Sequence, residues 1–268
     1  MSLTGLTARP LRVLQITDLH LCPEPGDVMG SGVDTDDSLE RVLRRVRGRE
    51  HPLDLMMVTG DLVHTPGAAP YRRLRRAFHS LPWPVHCLPG NHDDPDLMED
   101  TLAGDNIDCR KVLTRGDWLI ILLDSVVCGE SAGHLDDNEL ALLEEALSRH
   151  PARNALIALH HPVIPLGTPW MDRIGLTNAG AFFRVIDAHP KVRGILFGHA
   201  HREVDKTRNG VRLLGAPSTS VQFRPHTAAP RVDDLPPGYR LLELHADGRI
   251  ETWAQYLLQE AALRRRAS

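Results

Sequence analysis

The sequence predicts an α/β protein in which two mixed β-sheets pack face to face with helices outside. Three observations carry this reading. Short segments rich in Leu, Ile and Val alternate with amphipathic helical patterns through most of the chain. Each apolar segment stops at Gly, Pro or a polar motif. Two later ribbons turn at Asn209-Gly210 and Asp247-Gly248, dipeptides that favour tight hairpins.

Taken in order, residues 11–17, 53–59, 85–88, 154–159 and 192–197 read as buried strands, because each is short and nearly continuous in apolar residues. Residues 37–47 form a helix with Leu39, Val42, Leu43 and Val46 on one stripe. The Arg-rich helix over 71–79 (Arg72, Arg73, Arg75, Arg76) is read as a solvated face rather than an anion patch. Residues 111–124 read as a strand pair turning near Arg115-Gly116-Asp117. The helix over 137–149 places Leu140, Leu143 and Leu147 on one face and acidic residues in its first turn. A third helical pattern spans 178–188, with Asn178 placed to cap it. Residues 204–214 and 239–256 are the hairpins, and the short Pro-rich stretch 225–237 is a loop rather than a domain boundary. Residues 1–268 are expected to form one domain, with 225–268 a C-terminal hairpin and tail. The tail over 263–268, with Arg264-Arg265-Arg266, is expected to be a frayed end.

Bulk properties narrow the function. A hydrophobic content of 42% with 25% charged residues is that of an ordinary globular protein, and 268 residues suffice for a large core. A net charge of -4 and only 4% aromatic residues argue against nucleic acid as the partner. No apolar run approaches the roughly 20 residues that span a bilayer. Residues 1–10 lack the apolar core of a signal peptide, so the cytoplasm is the expected location and no membrane partner is expected. Cys22, Cys87, Cys109 and Cys128 form no C-x-x-C pair and are read as reduced thiols. A homodimer is compatible with the sequence, which does not specify assembly.

Seven candidate metal ligands stand in five clusters, each where an apolar strand gives way to a loop. They are Asp18 and His20, Asp61 after Gly60, Asn91 after Gly90, His160, and the pair His199 and His201. Sites in open α/β sheets gather at such strand ends. Asp18 and His20, two apart in an extended segment, can point to one side, as can His199 and His201. The mixture of carboxylate and imidazole suits Mn, Fe or Zn better than Ca or Mg. One cation would take Asp18, His20, Asp61 and His201, and the other Asp61, Asn91, His160 and His199, with Asp61 shared. Metals about 3.5–4 Å apart would clamp an ester and activate a bridging hydroxide. His92, next to Asn91, is expected to face the substrate and assist the leaving-group oxygen. His161 is read as a neighbour of the ligands or as structural, and His64, His86, His134 and His189 as structural or solvated.

The signature Asp18-x-His20, Gly60-Asp61, Gly90-Asn91-His92, His160-His161-Pro162 and Gly198-His199-x-His201 resembles that of the calcineurin-like metallophosphoesterases. The stretch 215–223 (Gly-Ala-Pro-Ser-Thr-Ser-Val-Gln-Phe), with Pro236-Pro237-Gly238-Tyr239-Arg240, Leu242-Glu243-Leu244-His245 and Asn178-Ala179-Gly180, is similar to bacterial class III 3',5'-cyclic AMP phosphodiesterases. The resemblance implies a four-layer α/β/β/α sandwich with two divalent cations per chain (Fe, Mn or Zn, with Fe and Mn favoured). It implies opening of a cyclic nucleotide to a 5'-nucleotide by a metal-bridging hydroxide. Nucleotide phosphate would rest near His20, Asp61, Asn91, His92 and His201. Thr35, Trp170, Asp172, Asn178 and Phe223 lie near motifs and are candidates for holding base and ribose. One departure stands out. Many members carry an Asp three residues after the shared Asp, where it orients the histidine beside the Asn ligand. This chain has His64 there, so a carboxylate partner for His92 must come from elsewhere, be replaced or be absent. Two alternatives remain: a broader phosphodiesterase acting on 2',3'-cyclic nucleotides or glycerophosphodiesters, and a non-catalytic scaffold. A scaffold would have eroded ligands, and none is eroded here.

Overall fold

The computed structural model describes residues 9–27, 32–48 and 52–257. The expected frayed end at 263–268 lies outside the described residues. Two six-stranded sheets organise the rest. The first runs β12-β11-β1-β2-β3-β4, with β1 at Leu11–Ile16, β2 at Leu55–Thr59, β3 at Val85–Leu88, β4 at Ile107–Asp108, β11 at Gly238–Leu244 and β12 at Ile250–Tyr256. The second runs β5-β6-β7-β8-β10-β9, with β5 at Val112–Arg115, β6 at Trp118–Leu122, β7 at Asn154–Ala158, β8 at Val192–Phe197, β9 at Val204–Arg208 and β10 at Val211–Gly215. Strands β1, β2, β3 and β4 pair in parallel, as do β6, β7, β8 and β10, whereas the hairpin strands pair antiparallel.

Three apolar clusters define four layers. Val13, Leu55, Met57 and Leu242 of the first sheet meet Ile120, Leu156, Leu196 and Leu214 of the second, which makes the inter-sheet core. Alternate residues of the first sheet, such as Leu14, Met56 and Val85, face outward onto α1 (Thr35–Arg47), α2 (Ala68–His79) and α3 (Pro95–Leu102). Those of the second, such as Ile121, Ile157 and Ile195, face α4 (Asp137–Arg149), α5 (Pro169–Asp172) and α6 (Ala179–Ala188). Strands buried on both faces read as continuous apolar runs because no side chain meets water. The period-two alternation divides each between the two layers that it touches.

The helices begin and end as their sequences dictate. Asp34 accepts from Asp37 N at 3.0 Å at the start of α1, whose buried face is the Leu39, Val42, Leu43, Val46 stripe. Asp136 accepts from Glu139 N at 2.8 Å at the start of α4. Helix α3, absent from the sequence reading, has its own signal: Asp94 caps it, accepting from Leu97 N at 3.0 Å, and Pro95 opens it. Asn178 precedes α6 but its side chain does not cap that helix. Its amide instead bridges the loop before α4, accepting from Leu135 N at 3.1 Å and donating to Leu135 O at 2.7 Å. The Arg-rich helix is solvated in part only. Arg72 and Arg76 are exposed, but Arg73 is pinned to Asp36 and to the Cys22 and Pro23 carbonyls, and Arg75 reaches Thr101 O.

One buried base makes folding acid-sensitive. His86 on β3, beside Asp108 of β4, is 2% exposed, and neither ring nitrogen has a hydrogen-bond partner among the described residues. Burial, reinforced by Arg115 and Arg110 and opposed by Asp108, pushes its pKa from 6.5 to about 4. The folded state therefore binds this proton less readily than the unfolded chain. The stability present above the unfolded pKa is lost as pH falls from about 6.5 towards 4. By that linkage the loss from this residue alone is about 2 kcal/mol at pH 5. Replacing His86 by Leu should shrink the difference in thermal midpoint between pH 8 and pH 5. An unchanged difference would show that the residue is not buried in its neutral form.

Candidate metal centre

Parallel strands deliver side chains to one end of each sheet. Asp18, Asp61, Asn91, His160 and His199 each lie two or three residues beyond the C-terminal end of β1, β2, β3, β7 and β8 respectively. The neighbouring strands β1, β2 and β3 present their loops from one sheet, and the neighbouring β7 and β8 from the other. The two sheets are tied here by Gln15 on β1, whose amide donates to Phe197 O on β8 at 3.1 Å and to Thr59 Oγ1 on β2 at 3.0 Å.

The ligand loops are not extended, which corrects the reading of Asp18 to His20 and of His199 to His201 as strand-like pairs. Asp18, His20, Asp61, His199 and His201 all adopt left-handed backbone, with φ of 53°, 49°, 51°, 62° and 46°. Such conformations are costly for residues with a Cβ and persist only where surroundings impose them. The constraint is visible. Asp18 N donates to Gly60 O at 3.0 Å and His20 N to Asp61 O at 2.9 Å. The Ser218 and Ser220 hydroxyls donate to Asp18 O at 2.8 and 2.9 Å. The alternation of left-handed and ordinary residues, rather than a pleat, turns both members of each pair inward.

Two groups of side chains result, and they share Asp61. Asp18, His20, Asp61 and His201 gather ligand-type atoms within 4.8 Å of one another, as do Asp61, His160 and His199. His160 Nε2 lies 3.3 Å and His20 Nε2 3.5 Å from the same oxygen, Asp61 Oδ2. His201 Nε2 lies 3.2 Å from Asp18 Oδ1 and 3.1 Å from His20 Nε2, and His199 Nδ1 lies 3.2 Å from His160 Nε2. Apart from Asn91, which is partly exposed, all of these residues are buried.

The hydrogen-bond roles test whether cations fit. His160 Nδ1 donates to Thr59 O at 2.9 Å and His201 Nδ1 to Val221 O at 2.7 Å, because a carbonyl can only accept. In a neutral imidazole the Nε2 atoms then carry lone pairs that face carboxylate oxygens and other ring nitrogens. Asn91 Oδ1 is buried without a hydrogen-bond partner among the described residues. Acceptors converging on acceptors, out of water, fit a divalent cation between them. Protons are the alternative. Burial pushes the His160 pKa down, but the Asp61 carboxylate outweighs it and holds the base at about 9. Burial opposes ionisation of Asp61 too, yet His160 and His20 hold it well below the usual carboxylate range. His20 is pushed down to about 3, chiefly by burial.

Around the candidate ligands lie supporting contacts, of which those of Asp93 were not assigned from the sequence. Asp93, buried beside Asn91 and His92, accepts from Leu62 N at 3.0 Å, Val63 N at 3.2 Å, Gly90 N at 2.9 Å and Tyr71 Oη at 2.9 Å. It staples the Asp61 loop to the Asn91 loop. Its carboxyl is raised to about 6 by burial and by Asp61. His92 N donates to Asp61 Oδ1 at 2.9 Å, and His92 Nδ1 bonds the His64 carbonyl at 2.9 Å. The acceptor that orients His92 is thus a main-chain oxygen of residue 64. His161 is fully buried, bonded to Ser125 Oγ at 2.8 Å and packed edge-on against His160. Of the residues considered for base and ribose, Thr35 accepts from Cys22 N, Asp172 accepts from Leu166 N and Gly167 N, and Asn178 is engaged with Leu135. Phe223 instead stacks on His201 with centroids 4.4 Å apart, and Trp170 meets Phe223 edge-on at 5.2 Å.

Comparison with known proteins follows the same lines. The profile of the family described as Calcineurin-like phosphoesterase matches residues 11–203. A 3',5'-cyclic adenosine monophosphate phosphodiesterase of Pseudomonas aeruginosa is 39% identical, over 93% of this chain and 91% of its own length. The enzyme of the same name from Escherichia coli K12 is 40% identical over 90% and 88%. A 3',5'-cyclic-nucleotide phosphodiesterase of Nostoc is 37% identical over 91% and 90%. Among solved structures, a dimetal phosphatase from Danio rerio has a TM-score of 0.59 at 15% identity, covering 93% of this chain and 99% of that one. That likeness is one of fold.

Close packing leaves no room for a side chain at residue 198. A Cβ there would lie 2.1 Å from Thr17 Oγ1, 2.8 Å from Thr59 O and 2.9 Å from Asp18 Oδ2. Gly198→Ala should therefore displace Asp18 or His199, lowering both the thermal midpoint and the metal retained per chain after dialysis. Wild-type values for both would show that the loops yield without cost.

Proposed function

The chain belongs to the calcineurin-like phosphoesterase family, and we propose that its site hydrolyses 3',5'-cyclic AMP to 5'-AMP with two divalent cations. The carrying observation is the pair of ligand groups joined through Asp61; the names of the relatives support the substrate. In this reading Asp18, His20, Asp61 and His201 hold one cation, and Asp61, Asn91, His160 and His199 the other. When bound, the cations supply a nucleophilic oxygen at neutral pH and neutralise charge growing on the phosphoryl oxygens. Imidazole with carboxylate suits Fe, Mn or Zn, and the family resemblance is what favours Fe or Mn. We read residues 1–268 as one domain, supported by the core that the two sheets share. The four free cysteines support a reducing compartment, the cytoplasm. Among the described residues no helix is long and apolar enough to cross a membrane.

The chain's own groups divide the remaining work. Thr59 O and Val221 O fix the tautomers of His160 and His201, keeping Nε2 free to coordinate. Asn91 contributes a neutral oxygen, which leaves a cation's charge undiminished for the substrate. His92 holds one proton at Nδ1 against the His64 carbonyl. To assist the departure of O3' it must therefore carry a second proton at Nε2 and act as imidazolium. His20, Asp61, Asn91, His92 and His201 line the place of the phosphate in this reading, with Phe223 beside it as a flat surface for the base.

Purified protein supplied with Mn or Fe should convert cyclic AMP to 5'-AMP, and Asp61→Ala should abolish nearly all turnover. Intact cyclic AMP alongside cleavage of 2',3'-cyclic nucleotides or glycerophosphodiesters would reject the substrate in favour of the broader diesterase. Metal loading of the stripped protein near pH 7.5 should release about one proton per chain, because His160 is protonated below about 9 without metal. Calorimetric titration in two buffers of different ionisation heat measures that release. Its absence would mean that His160 is neutral before metal arrives.

A further inference from the structure

His64 occupies no place among the seven ligands, yet three features tie it to His92. Its carbonyl accepts from His92 Nδ1 at 2.9 Å. Its imidazole stacks on the His92 ring, with centroids 5.3 Å apart and planes 19° from parallel. The same ring meets His20 edge-on at 5.6 Å, and His20 in turn meets His92 edge-on at 4.8 Å. His92 is only half-buried and His64 is exposed, so deep packing does not hold the His92 ring. Among the described residues, what holds it is one hydrogen bond, which fixes a point, and two ring contacts, which fix a plane.

A single bond to a carbonyl leaves an imidazole free to swing about the N–H···O axis. A carboxylate would add charge and a second acceptor; a carbonyl adds neither. A near-parallel ring stacked on it and a perpendicular ring adjoining both remove the swing. Proton delivery to a leaving oxygen is steep in geometry, so a ring turned out of line loses rate even while its nitrogen stays protonated.

We propose that the His64 side chain is a positioning residue for His92: its ring, stacked on that of His92, aims Nε2 at the leaving-group oxygen, while its own carbonyl anchors Nδ1. The proposal rests on reading His92 as the group that faces the leaving oxygen. It makes the residue three places after Asp61 a determinant of how well poor leaving groups are expelled. It does not make His64 a ligand or a proton donor.

The test compares two diesters: bis(p-nitrophenyl) phosphate, whose leaving phenolate needs little protonation, and cyclic AMP, whose O3' leaves as an alkoxide unless protonated. His64→Ala keeps the main-chain carbonyl and removes the ring. Its kcat on cyclic AMP should fall about 10- to 100-fold, with KM and bound metal unchanged, while turnover of the nitrophenyl diester changes less than about threefold. His64→Phe restores a flat ring and should recover most of the loss. In the His92→Asn background His64→Ala should have no further effect on cyclic AMP. Equal losses on both diesters, no loss on either, failure of Phe to rescue, or additive effects with His92→Asn would each overturn the proposal. If wild-type protein leaves cyclic AMP intact, the substrate reading fails by itself. The same comparison then runs on an alkyl diester that the protein does cleave.

Discussion

A carboxylate shut away from water among histidines is the constraint on which this structure turns. Asp61 is 2% exposed, takes His92 N on one oxygen, and has His20 and His160 within 3.5 and 3.3 Å of the other. Burying that charge would cost several kcal/mol if nothing compensated it. The compensation comes from both sheets at once, since His20 follows β1 and His160 follows β7. The inter-sheet packing and the site are therefore one problem: the sheets must close far enough to bring these rings to one oxygen. Gly198 and Gly60 mark how far they close, since a Cβ at Gly198 would fall 2.1 Å from Thr17 Oγ1 and one at Gly60 2.3 Å from His160 Nδ1, each across the two sheets.

Strain is the second cost of this arrangement. Five candidate ligands hold left-handed backbone, each at on the order of 1 kcal/mol or more relative to an ordinary conformation. Main-chain bonds from Asp18 and His20 to the β2 loop, and the Ser218 and Ser220 hydroxyls on Asp18 O, keep those residues from relaxing. Asp93 does the same for the Asn91 loop through four donors. Geometry of this kind is set before any ligand arrives, so binding need not order the loops.

The sequence was most legible where one local rule decides. Strands buried on both faces announce themselves as apolar runs, and the Leu39, Val42, Leu43, Val46 stripe is the buried face of α1. Asn209-Gly210 and Asp247-Gly248 lie between the paired strands of their hairpins. Less was legible where distant segments decide. Asn178 has the composition of a cap but lies beside Leu135, whose backbone takes its amide. The two-apart spacing of Asp18 and His20 suggests a pleat, but bonds to residues 60 and 61 impose a different backbone. The orienting partner of His92 was sought among carboxylates, as side-chain identity invites. A carbonyl belongs to every residue, so no composition could reveal that residue 64 supplies it.

Charge separates this site from one that binds phosphate by cationic side chains. Among the described residues, none of those gathered around Asp61 is Lys or Arg. The arginines of the surrounding layers are committed elsewhere: Arg73 to Asp36 and two carbonyls, Arg202 to Leu166 O, and the buried Arg240 to Gly215 O and Val204 O. The protein as a whole carries a net charge of -4. A phosphodiester approaching the empty ligand set would meet two carboxylates, Asp18 and Asp61, both held ionised, with His160 the buried base whose pKa is raised to meet them. In the proposed reading, attraction for the anion is carried by the cations those side chains would hold, which would make anion binding and metal occupancy one linked equilibrium. In that reading, selectivity among anions falls to the groups that would touch the rest of the substrate: Asn91, His92 and the aromatic face of Phe223.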